Sequence, residues 1–376
     1  MRLLFINSIQ MFAGGEIWML RALRALQKRG HKVWLCCRPY TELAERAVEA
    51  GIPVKLIGFR SDFDPICIFR LAVFMFQNKI DVVLTNMDKE LRNGGVAARL
   101  AGVPAIIPRR GIDYPLKNRW RYRFAYNALA TRVLANSQAT KKALLKNAPW
   151  LEEQRIEVIY NGIDLSAFVS ATSSSFRETR QIPAHAPVLG FVGQLDERKG
   201  IGVLLSAFEL IRARLPDAYL VLGGEGPLRE MIESEAREKG WGERVVLTGF
   251  VEDVAAIMHA IDVLLLPSYW EGFGIVLIEA MACGRPVITT DISSMPEIVE
   301  EGRTGFLIPP GESSALAERA VLLLQDEALR ARMGQAARQR VAEHFSHDRM
   351  IEKLESLFVR EVKRRTWLRR NSILEA

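Results

Sequence analysis

The chain has 376 residues, 49% of them hydrophobic and 25% charged, so it can build two domains of ordinary size and large-scale disorder is excluded. The net charge is +7, but no zinc-finger, RNA-binding or homeodomain signature accompanies it, which argues against a nucleic-acid partner. The four cysteines lack metal-ligand spacing. Residues 1–6 are apolar but short, and they run into a polar loop with glycines rather than a cleavage site, so we expect no signal peptide. We therefore expect reduced thiols and a cytoplasmic protein.

The first half of the chain alternates between apolar strands and amphipathic helices. Residues 2–7 predict a first strand, a loop containing Gly14 and Gly15 follows, and a helix continues to Lys28. This alternation predicts a parallel sheet covered by helices, a Rossmann-like domain over residues 1–168. The glycine loop lacks the GxGxxG spacing of a dinucleotide site. Later strands are predicted at residues 33–37, 54–57, 82–85, 105–108 and 132–137, and the segment 156–164 closes this half.

Two segments of the first half bear on whether this domain contacts a membrane. The apolar segment from Ile66 to Phe76 is interrupted by Arg70 and is too short to span a membrane, and its pattern favours a core-facing helix over an interfacial one. Residues 119–130 alternate arginines with aromatic side chains. A helix there would place Trp120, Phe124 and Asn127 on one face, and Arg119, Arg123 and Tyr126 on another. Together with a cationic C-terminal helix that ends with Trp367, this predicts reversible binding to an anionic membrane surface. The alternative is that Trp120 and Phe124 are ordinary core residues and the arginines are solvated.

A polar stretch at residues 170–175 predicts a linker, within 169–186, before a second domain at 187–347. The second domain opens with a strand at 188–193 and a loop that carries Arg198 and Lys199. Two adjacent cations after a strand suit a diphosphate, although a solvated charge run is the alternative.

The most informative stretch of the second half is residues 267–288. A buried strand precedes it, a glycine-rich loop leads into a short helix from about Gly274, and Gly284 ends that helix. The first amides of the helix can bind phosphate. The carboxylates of Glu271 and Glu279 would repel a phosphate but suit sugar hydroxyls. A ligand with phosphate in its middle and a sugar at each end, a nucleotide-sugar, fits both features.

The stretch PSYWEGFGIVLIEAMACGRPVI, residues 267–288, closely resembles the signature of retaining glycosyltransferases of the family-4 type, also called glycosyl transferases group 1. The resemblance implies an α/β fold of the GT-B type, with two facing Rossmann-like domains and a deep cleft between them. It also implies that the C-terminal helix, residues 348–376, packs back onto the first, acceptor-binding domain. The expected activity is transfer of a hexose-type sugar with retention of configuration.

By this resemblance, Glu271 holds a sugar hydroxyl, Glu279 holds the ribose, and Lys199 with Arg198 stabilises the leaving diphosphate. We count Glu271, Lys199 and Arg198 as catalytic. Further donor contacts are expected at Gly15, Gly193, Glu225, Val251, Phe273, Gly274, Ile275 and Val276.

The chain departs from the family pattern at two places. Many members have a histidine facing the sugar at the strand end that is occupied here by Arg109 and Arg110. These arginines are candidates for contact with donor or acceptor phosphate, or else solvated or ion-paired loop residues. The family's Gly-Gly-x-Glu motif is also altered, because this chain reads Ala13-Gly14-Gly15-Glu16, so the first glycine is displaced or replaced. We choose Gly15 for the donor contact, and a plain turn at the start of a helix is the alternative.

The resemblance implies a UDP- or GDP-sugar donor, no cofactor or metal, and a glycan or glycolipid acceptor such as a lipopolysaccharide core. The inner face of the cytoplasmic membrane is a second expected location. Asp62 and Asp64 match the DxD motif of metal-dependent glycosyltransferases, but we interpret them as loop residues, since Arg198 and Lys199 can neutralise a diphosphate. Two other functions stay open: a nucleotide-sugar epimerase and a non-catalytic nucleotide-sugar-binding protein.

Overall fold

The structure, a computed structural model, describes residues 1–169, 174–251 and 253–374, and the chain divides into two units. Unit 1 comprises Met1–Asn161 and the C-terminal residues from Asp348, and unit 2 comprises Gly162–His347. The chain therefore enters unit 2 before the predicted linker at 169–186. Residues 170–173 of that linker lie outside the described part. Its remainder is held within unit 2, because Arg177 donates a hydrogen bond to the Ala260 carbonyl oxygen at 2.7 Å.

In the described part of unit 1, seven parallel strands form one sheet in the order β3-β2-β1-β4-β5-β6-β7. Alternate residues of the first strand face opposite layers, as strand geometry requires: Leu3 and Phe5 join one core, and Leu4 and Ile6 join the other. The strands are β1 (Arg2–Ile6), β2 (Lys32–Cys37), β3 (Val54–Leu56), β4 (Val82–Thr85), β5 (Ala105–Arg110), β6 (Val133–Ala135) and β7 (Ile156–Val158).

Helices cover both faces of this sheet. Trp18, Leu43 and Phe358, from the first, second and C-terminal helices of the unit, pack with Leu3 and Phe5 on one face, while the other helices cover the opposite face. The helices are α1 (Gly14–Lys28), α2 (Glu42–Glu49), α3 (Pro65–Gln77), α4 (Asp88–Leu100), α5 (Trp120–Phe124), α6 (Gln138–Lys146) and the C-terminal helix His347–Leu374, and a π-helical turn, Ala125–Leu129, continues α5.

The apolar segment 66–76 was expected to form a core-facing helix, and only one of its two apolar sides faces the core. Helix α3 buries Cys67, Leu71 and Met75 against the sheet. Its opposite side, which is also apolar, is exposed. Both sides of this helix are hydrophobic, so the pattern of apolar residues could not tell which side would be buried.

Unit 2 has one described sheet of six parallel strands in the order β10-β9-β8-β11-β12-β13. The strands are β8 (Val188–Val192), β9 (Tyr219–Gly223), β10 (Val245–Gly249), β11 (Val263–Leu266), β12 (Val287–Thr290) and β13 (Gly305–Ile308). The helices are α7 (Ser166–Val169), α8 (Ser174–Thr179), α9 (Ile201–Arg214), α10 (Arg229–Glu238), α11 (Val254–Ala260), α12 (Ile275–Ala282), α13 (Met295–Ile298), α14 (Ser313–Gln325) and α15 (Glu327–His344).

Each sheet has one point where its connections diverge. In unit 1, β1 pairs with both β2 and β4, and in unit 2, β8 pairs with both β9 and β11. In open parallel sheets, ligands bind beyond the carboxyl ends of the strands at such points. The predicted architecture of two Rossmann-like α/β domains is confirmed, and the loops after β1, β4, β8 and β11 are where a site is expected. None of the helices in the described ranges has the length and apolar composition needed to cross a membrane.

Candidate active site

The loop after β8 carries the two adjacent cations. Asp196 accepts a hydrogen bond from the Lys199 backbone N–H at 3.1 Å and so caps a short 3₁₀ turn. Gly200 follows with a φ of +72°, and α9 begins at the next residue. A Cβ atom on Gly200 would lie 2.0 Å from the carbonyl oxygen of Pro267. Only glycine therefore lets this loop approach the segment after β11 so closely.

This approach joins the two loops at the divergence point of unit 2. The Tyr269 N–H donates to the Arg198 carbonyl oxygen at 2.8 Å. The ammonium group of Lys199 forms an ion pair with the carboxylate of Glu271, and the Ser268 hydroxyl donates to the same carboxylate oxygen at 3.2 Å. The side chains of Lys199 and Glu271 are only 13% and 9% exposed. Opposite charges that suit a phosphate and a hydroxyl thus lie side by side at the strand ends.

Three hydroxyl groups hold the loop around Glu271. Those of Thr290, Ser293 and Ser294 donate to its main-chain carbonyl oxygens at 2.7, 3.0 and 3.1 Å. These residues were missed in the interpretation of the sequence. The one available signal was the stretch TTDISS, residues 289–294, in which four of six side chains carry a hydroxyl and which spans the end of β12 and the loop after it.

Arg198 is held less firmly than Lys199. Its guanidinium lies 3.4 Å from both the Asp196 carboxylate and the Gln194 side-chain oxygen, and 5.2 Å from the centre of the Trp270 ring. Its side chain is 40% exposed. Arg198 can therefore move toward a ligand, while Lys199 is already fixed beside Glu271.

Helix α12 begins directly after the loop that carries Glu271. Gly274 precedes it with a φ of +81°, and the first N–H groups of a helix, here those of Ile275 and Val276, have no acceptor within the helix. Ile275 and Val276 are half-buried, as is Glu279 one turn later. The positive end of the helix dipole and the Glu279 carboxylate therefore lie on the same short element.

Two other predicted donor contacts, Gly193 and Phe273, lie close to the carboxyl-end edge of the unit 2 sheet through their main chain. A Cβ on Gly224 would lie 1.9 Å from the Gly193 carbonyl oxygen, so the loops after β8 and β9 touch. Phe273 is 4% exposed, with its ring 6.2 Å from that of Phe345. Its side chain belongs to the core of unit 2, so only its main chain can face a ligand.

Glu225 and Val251 lie in the loops after β9 and β10. Glu225 is exposed and forms an ion pair with Arg229 at 3.1 Å. Val251 is half-buried, and its side chain would lie 2.9 Å from a Cβ on Gly223. Both residues lie at the carboxyl-end edge of the same sheet.

The corresponding edge of unit 1 is a buried polar network. Glu16 accepts hydrogen bonds from the Asn7 amide at 2.7 Å and from the Ala13 N–H at 3.1 Å, and so fixes the start of α1. Gly15 is half-buried in the first turn of α1, and a Cβ on it would lie 3.1 Å from the Asn86 amide nitrogen.

Arg109 is the centre of this network and is not a solvated loop residue. It lies on β5, is 4% exposed, and stacks 4.0 Å from the centre of the Trp18 ring. Its guanidinium donates at 3.1 Å to each of the side-chain oxygens of Asn86 and Asn161. Burial lowers the pKa of Arg109 to about 10, against the opposing charge of Glu16, so it remains a cation at neutral pH.

Arg110 is also on β5 but is already neutralised. Its guanidinium forms an ion pair with Asp88 at 3.0 Å, and the Tyr126 hydroxyl donates to the same carboxylate at 2.7 Å. The alternative of ion-paired arginines therefore describes Arg110, on a strand rather than a loop.

Glu90 makes the unit 1 edge sensitive to pH. Its fully buried carboxylate accepts N–H bonds from Ser8, Asn86 and Met87, yet burial raises its pKa from 4.5 to about 7. The folded protein then binds an extra proton between these pH values. We therefore expect the free energy of unfolding, relative to that of the Glu90→Gln variant, to fall by roughly 3 kcal/mol as the pH rises through this window. Denaturant unfolding at pH 5 and pH 8 measures it, and an unchanged difference would mean that the N–H bonds keep Glu90 ionised.

Two family models match the chain side by side. The model described as "Glycosyltransferase Family 4" matches residues 12–167, and the model described as "Glycosyl transferases group 1" matches residues 173–340. Together with the strand order of both units, these matches show that the chain belongs to the group 1, family-4 type of glycosyltransferases.

Two individual relatives are each less than 30% identical to this chain. An N-acetyl-alpha-D-glucosaminyl L-malate synthase of Bacillus anthracis is 29% identical over 248 residues, which are 66% of this chain and 64% of that enzyme. The chain thus spans less than two thirds of that relative. A UDP-Gal:alpha-D-GlcNAc-diphosphoundecaprenol alpha-1,3-galactosyltransferase of Escherichia coli is 24% identical over 371 residues, 94% of this chain and 95% of that enzyme.

The fold is that of solved GT-B structures. HepE of Anabaena, crystallised in complex with UDP, superposes with a TM-score of 0.85 at 23% identity, covering 96% of this chain and 100% of that one. At this identity the likeness shows the fold alone, and it confirms the predicted fold class.

Proposed function

We propose that this protein transfers a hexose-type sugar from a UDP- or GDP-sugar to a glycan or glycolipid acceptor, with retention of configuration. One observation carries the proposal: the ammonium of Lys199 and the carboxylate of Glu271 lie side by side where a parallel sheet of this family offers its ligand site. A diphosphate needs the first group, and a sugar hydroxyl suits the second.

In the proposed reaction, the bond between the sugar C1 and the leaving diphosphate oxygen breaks, and the acceptor oxygen bonds to C1 on the same face. The acceptor's proton passes to the leaving phosphate. Negative charge grows on the diphosphate, where Lys199, Arg198 and the first N–H groups of α12 would stabilise it. Glu271 would hold a sugar hydroxyl and Glu279 the ribose. Because these cations can neutralise the diphosphate, we propose that no metal is required.

The remaining donor contacts are proposed through main-chain groups. The loops of Gly193, Glu225 and Val251 lie at the same sheet edge as Lys199, which supports contacts to the nucleotide. We assign Phe273 a main-chain contact only, because its ring is buried. Gly15 lies at the matching edge of unit 1, where it remains a proposed phosphate contact.

On the acceptor side, Arg109 is a better candidate than Arg110 for binding an anionic group. The hydrogen-bond acceptors of Arg109 are neutral amides, whereas Arg110 already pairs with Asp88. We propose a cell-envelope glycolipid of lipopolysaccharide type as acceptor. The Escherichia coli relative, whose name gives a diphosphoundecaprenol acceptor, supports this class. Four free, buried cysteines support a cytoplasmic location.

A panel of labelled nucleotide-sugars tests the proposal. We expect transfer, or slow hydrolysis without an acceptor, from one UDP- or GDP-sugar, with an α-linked product from an α-linked donor and an unchanged rate in EDTA. Loss of activity in EDTA that magnesium or manganese restores would contradict the metal-free mechanism. Conversion of the donor into another nucleotide-sugar would indicate an epimerase, and binding without turnover would indicate a non-catalytic protein.

A further inference from the structure

The outer side of α3 is an unpartnered apolar stripe. Ile66, Phe69, Val73 and Phe76 are 63%, 68%, 38% and 73% exposed. Their spacing of three, four and three residues places them on one side of the helix, opposite the side that packs on the sheet. Solitary exposed apolar side chains are ordinary, but a continuous row that includes two phenylalanines is not.

Aromatic side chains extend this stripe toward α5. Phe63, just before α3, stacks on Trp120 with ring centres 6.1 Å apart and an angle of 6° between the planes, and its ring centre lies 6.1 Å from that of Phe124. Trp120 and Phe124 are 74% and 41% exposed. The alternative of ordinary core packing for these two residues is therefore wrong. Tyr126, predicted beside the arginines, is buried instead. We call the set Ile66, Phe69, Val73, Phe76, Trp120 and Phe124 the α3–α5 surface.

The charges around the α3–α5 surface have one sign. Arg70, Lys117, Arg119 and Arg123 are exposed, and the described residues offer them no ion pair. Residues 65–80 and 114–127 contain no aspartate or glutamate. The surface is therefore apolar with a cationic border.

The two carboxylates directly before α3 in the sequence are already engaged. Asp62 pairs with Arg92 at 2.9 Å and with Arg121 at 3.5 Å. Asp64 caps α3 by accepting the N–H groups of Ile66 and Cys67. In the DxD-like motif, Asp62 thus neutralises other arginines and Asp64 caps a helix. Neither residue pairs with the exposed cations around the α3–α5 surface.

We propose that the α3–α5 surface docks on an anionic lipid bilayer, with the aromatic side chains in the headgroup region and the basic residues against lipid phosphates. An apolar helix face with tryptophan, phenylalanine and flanking arginines is the composition that suits this interface. Each basic residue near such a surface contributes about fivefold to partitioning. The inference rests on the surface of unit 1 and does not depend on the proposed sugar transfer.

The C-terminal helix is not part of this docking face. Its Met350, Leu354 and Phe358 pack on the opposite face of the sheet from α3. Arg360 pairs with Glu157 there. The side chain of Trp367, which was also predicted to face a membrane, lies outside the described residues.

Co-sedimentation of the full chain with vesicles tests the proposal. We expect binding to vesicles of phosphatidylglycerol and phosphatidylcholine that weakens at high salt, and no comparable binding to phosphatidylcholine alone. Arg119→Glu with Arg123→Glu should lower the partition coefficient by roughly 30-fold or more. Phe69→Ser with Phe76→Ser should lower it roughly 10-fold. The matched controls in unit 2 are Arg332→Glu and Leu210→Ser, also exposed, and neither should change binding.

A label reports insertion directly. The native cysteines are buried, so an exposed Gln77→Cys, beside the stripe, can be labelled selectively with an environment-sensitive dye. We expect its emission to shift to the blue on anionic vesicles, while the same label at Leu210→Cys does not shift. Binding that ignores the α3 and α5 substitutions would overturn the proposal. Absence of vesicle binding at low salt would also overturn it. If the Phe69 and Phe76 substitutions then dissociate a dimer in sedimentation, the α3–α5 surface binds a second copy of the chain instead.

Discussion

Replacing Lys199 by alanine should lower the turnover of sugar transfer roughly 10²–10³-fold, because a cation is lost where negative charge develops on the leaving diphosphate. The structure adds a second cause. Without Lys199, the Glu271 carboxylate, whose side chain is 9% exposed, would keep the Ser268 hydroxyl but lose its counter-ion. An uncompensated buried carboxylate repels a diphosphate. The measurement is turnover at saturating donor, with circular dichroism to confirm folding.

Three matched variants separate the causes. Lys239 is another ion-paired lysine of unit 2, bound to Glu209 on the surface, and Lys239→Ala should leave turnover unchanged. Arg198→Ala should cost less than Lys199→Ala, because Arg198 is more exposed and less fixed. Lys199→Ala combined with Glu271→Gln should recover donor affinity but not turnover. A folded Lys199→Ala variant with normal turnover would remove Lys199 from the proposed mechanism.

The fold could be predicted because local pattern and global architecture agree. Apolar runs such as residues 263–266 are followed by a glycine loop and then by a helical period, and parallel sheets are built in this way. The division between units could not be placed as well. The polar stretch at 170–175 suggested a linker, but the chain enters unit 2 at Gly162.

The site residues could be identified as types but not as contacts. Lys199 and Glu271 are 72 positions apart, and no local pattern indicates that their side chains touch. Their contact depends on the strand order, which brings the carboxyl ends of β8 and β11 together. The burial of Arg109 was equally hidden, because its partners Asn86 and Asn161 come from other strand ends.

Replacing Gly200 by alanine should destabilise unit 2 by roughly 2–4 kcal/mol, since a residue with a side chain resists a φ of +72°. The added Cβ would also lie 2.0 Å from the Pro267 carbonyl oxygen. That atom belongs to the backbone, so no side-chain rotation relieves the clash. The remaining response is for the loop after β8 to move away from the loop after β11, which separates Lys199 from Glu271.

Gly202, two positions later in the first turn of α9, is the matched control. A Cβ there meets nothing within 4 Å, so Gly202→Ala should be neutral or stabilise the protein by up to about 1 kcal/mol through lower entropy of the unfolded chain. Denaturant unfolding and donor affinity should be measured for both variants. We expect Gly200→Ala to lose stability and donor affinity together, because the same backbone approach supports both. Equal stability of the two variants would show that the two loops can separate at no cost, and the fixed Lys199–Glu271 pair would then need another cause.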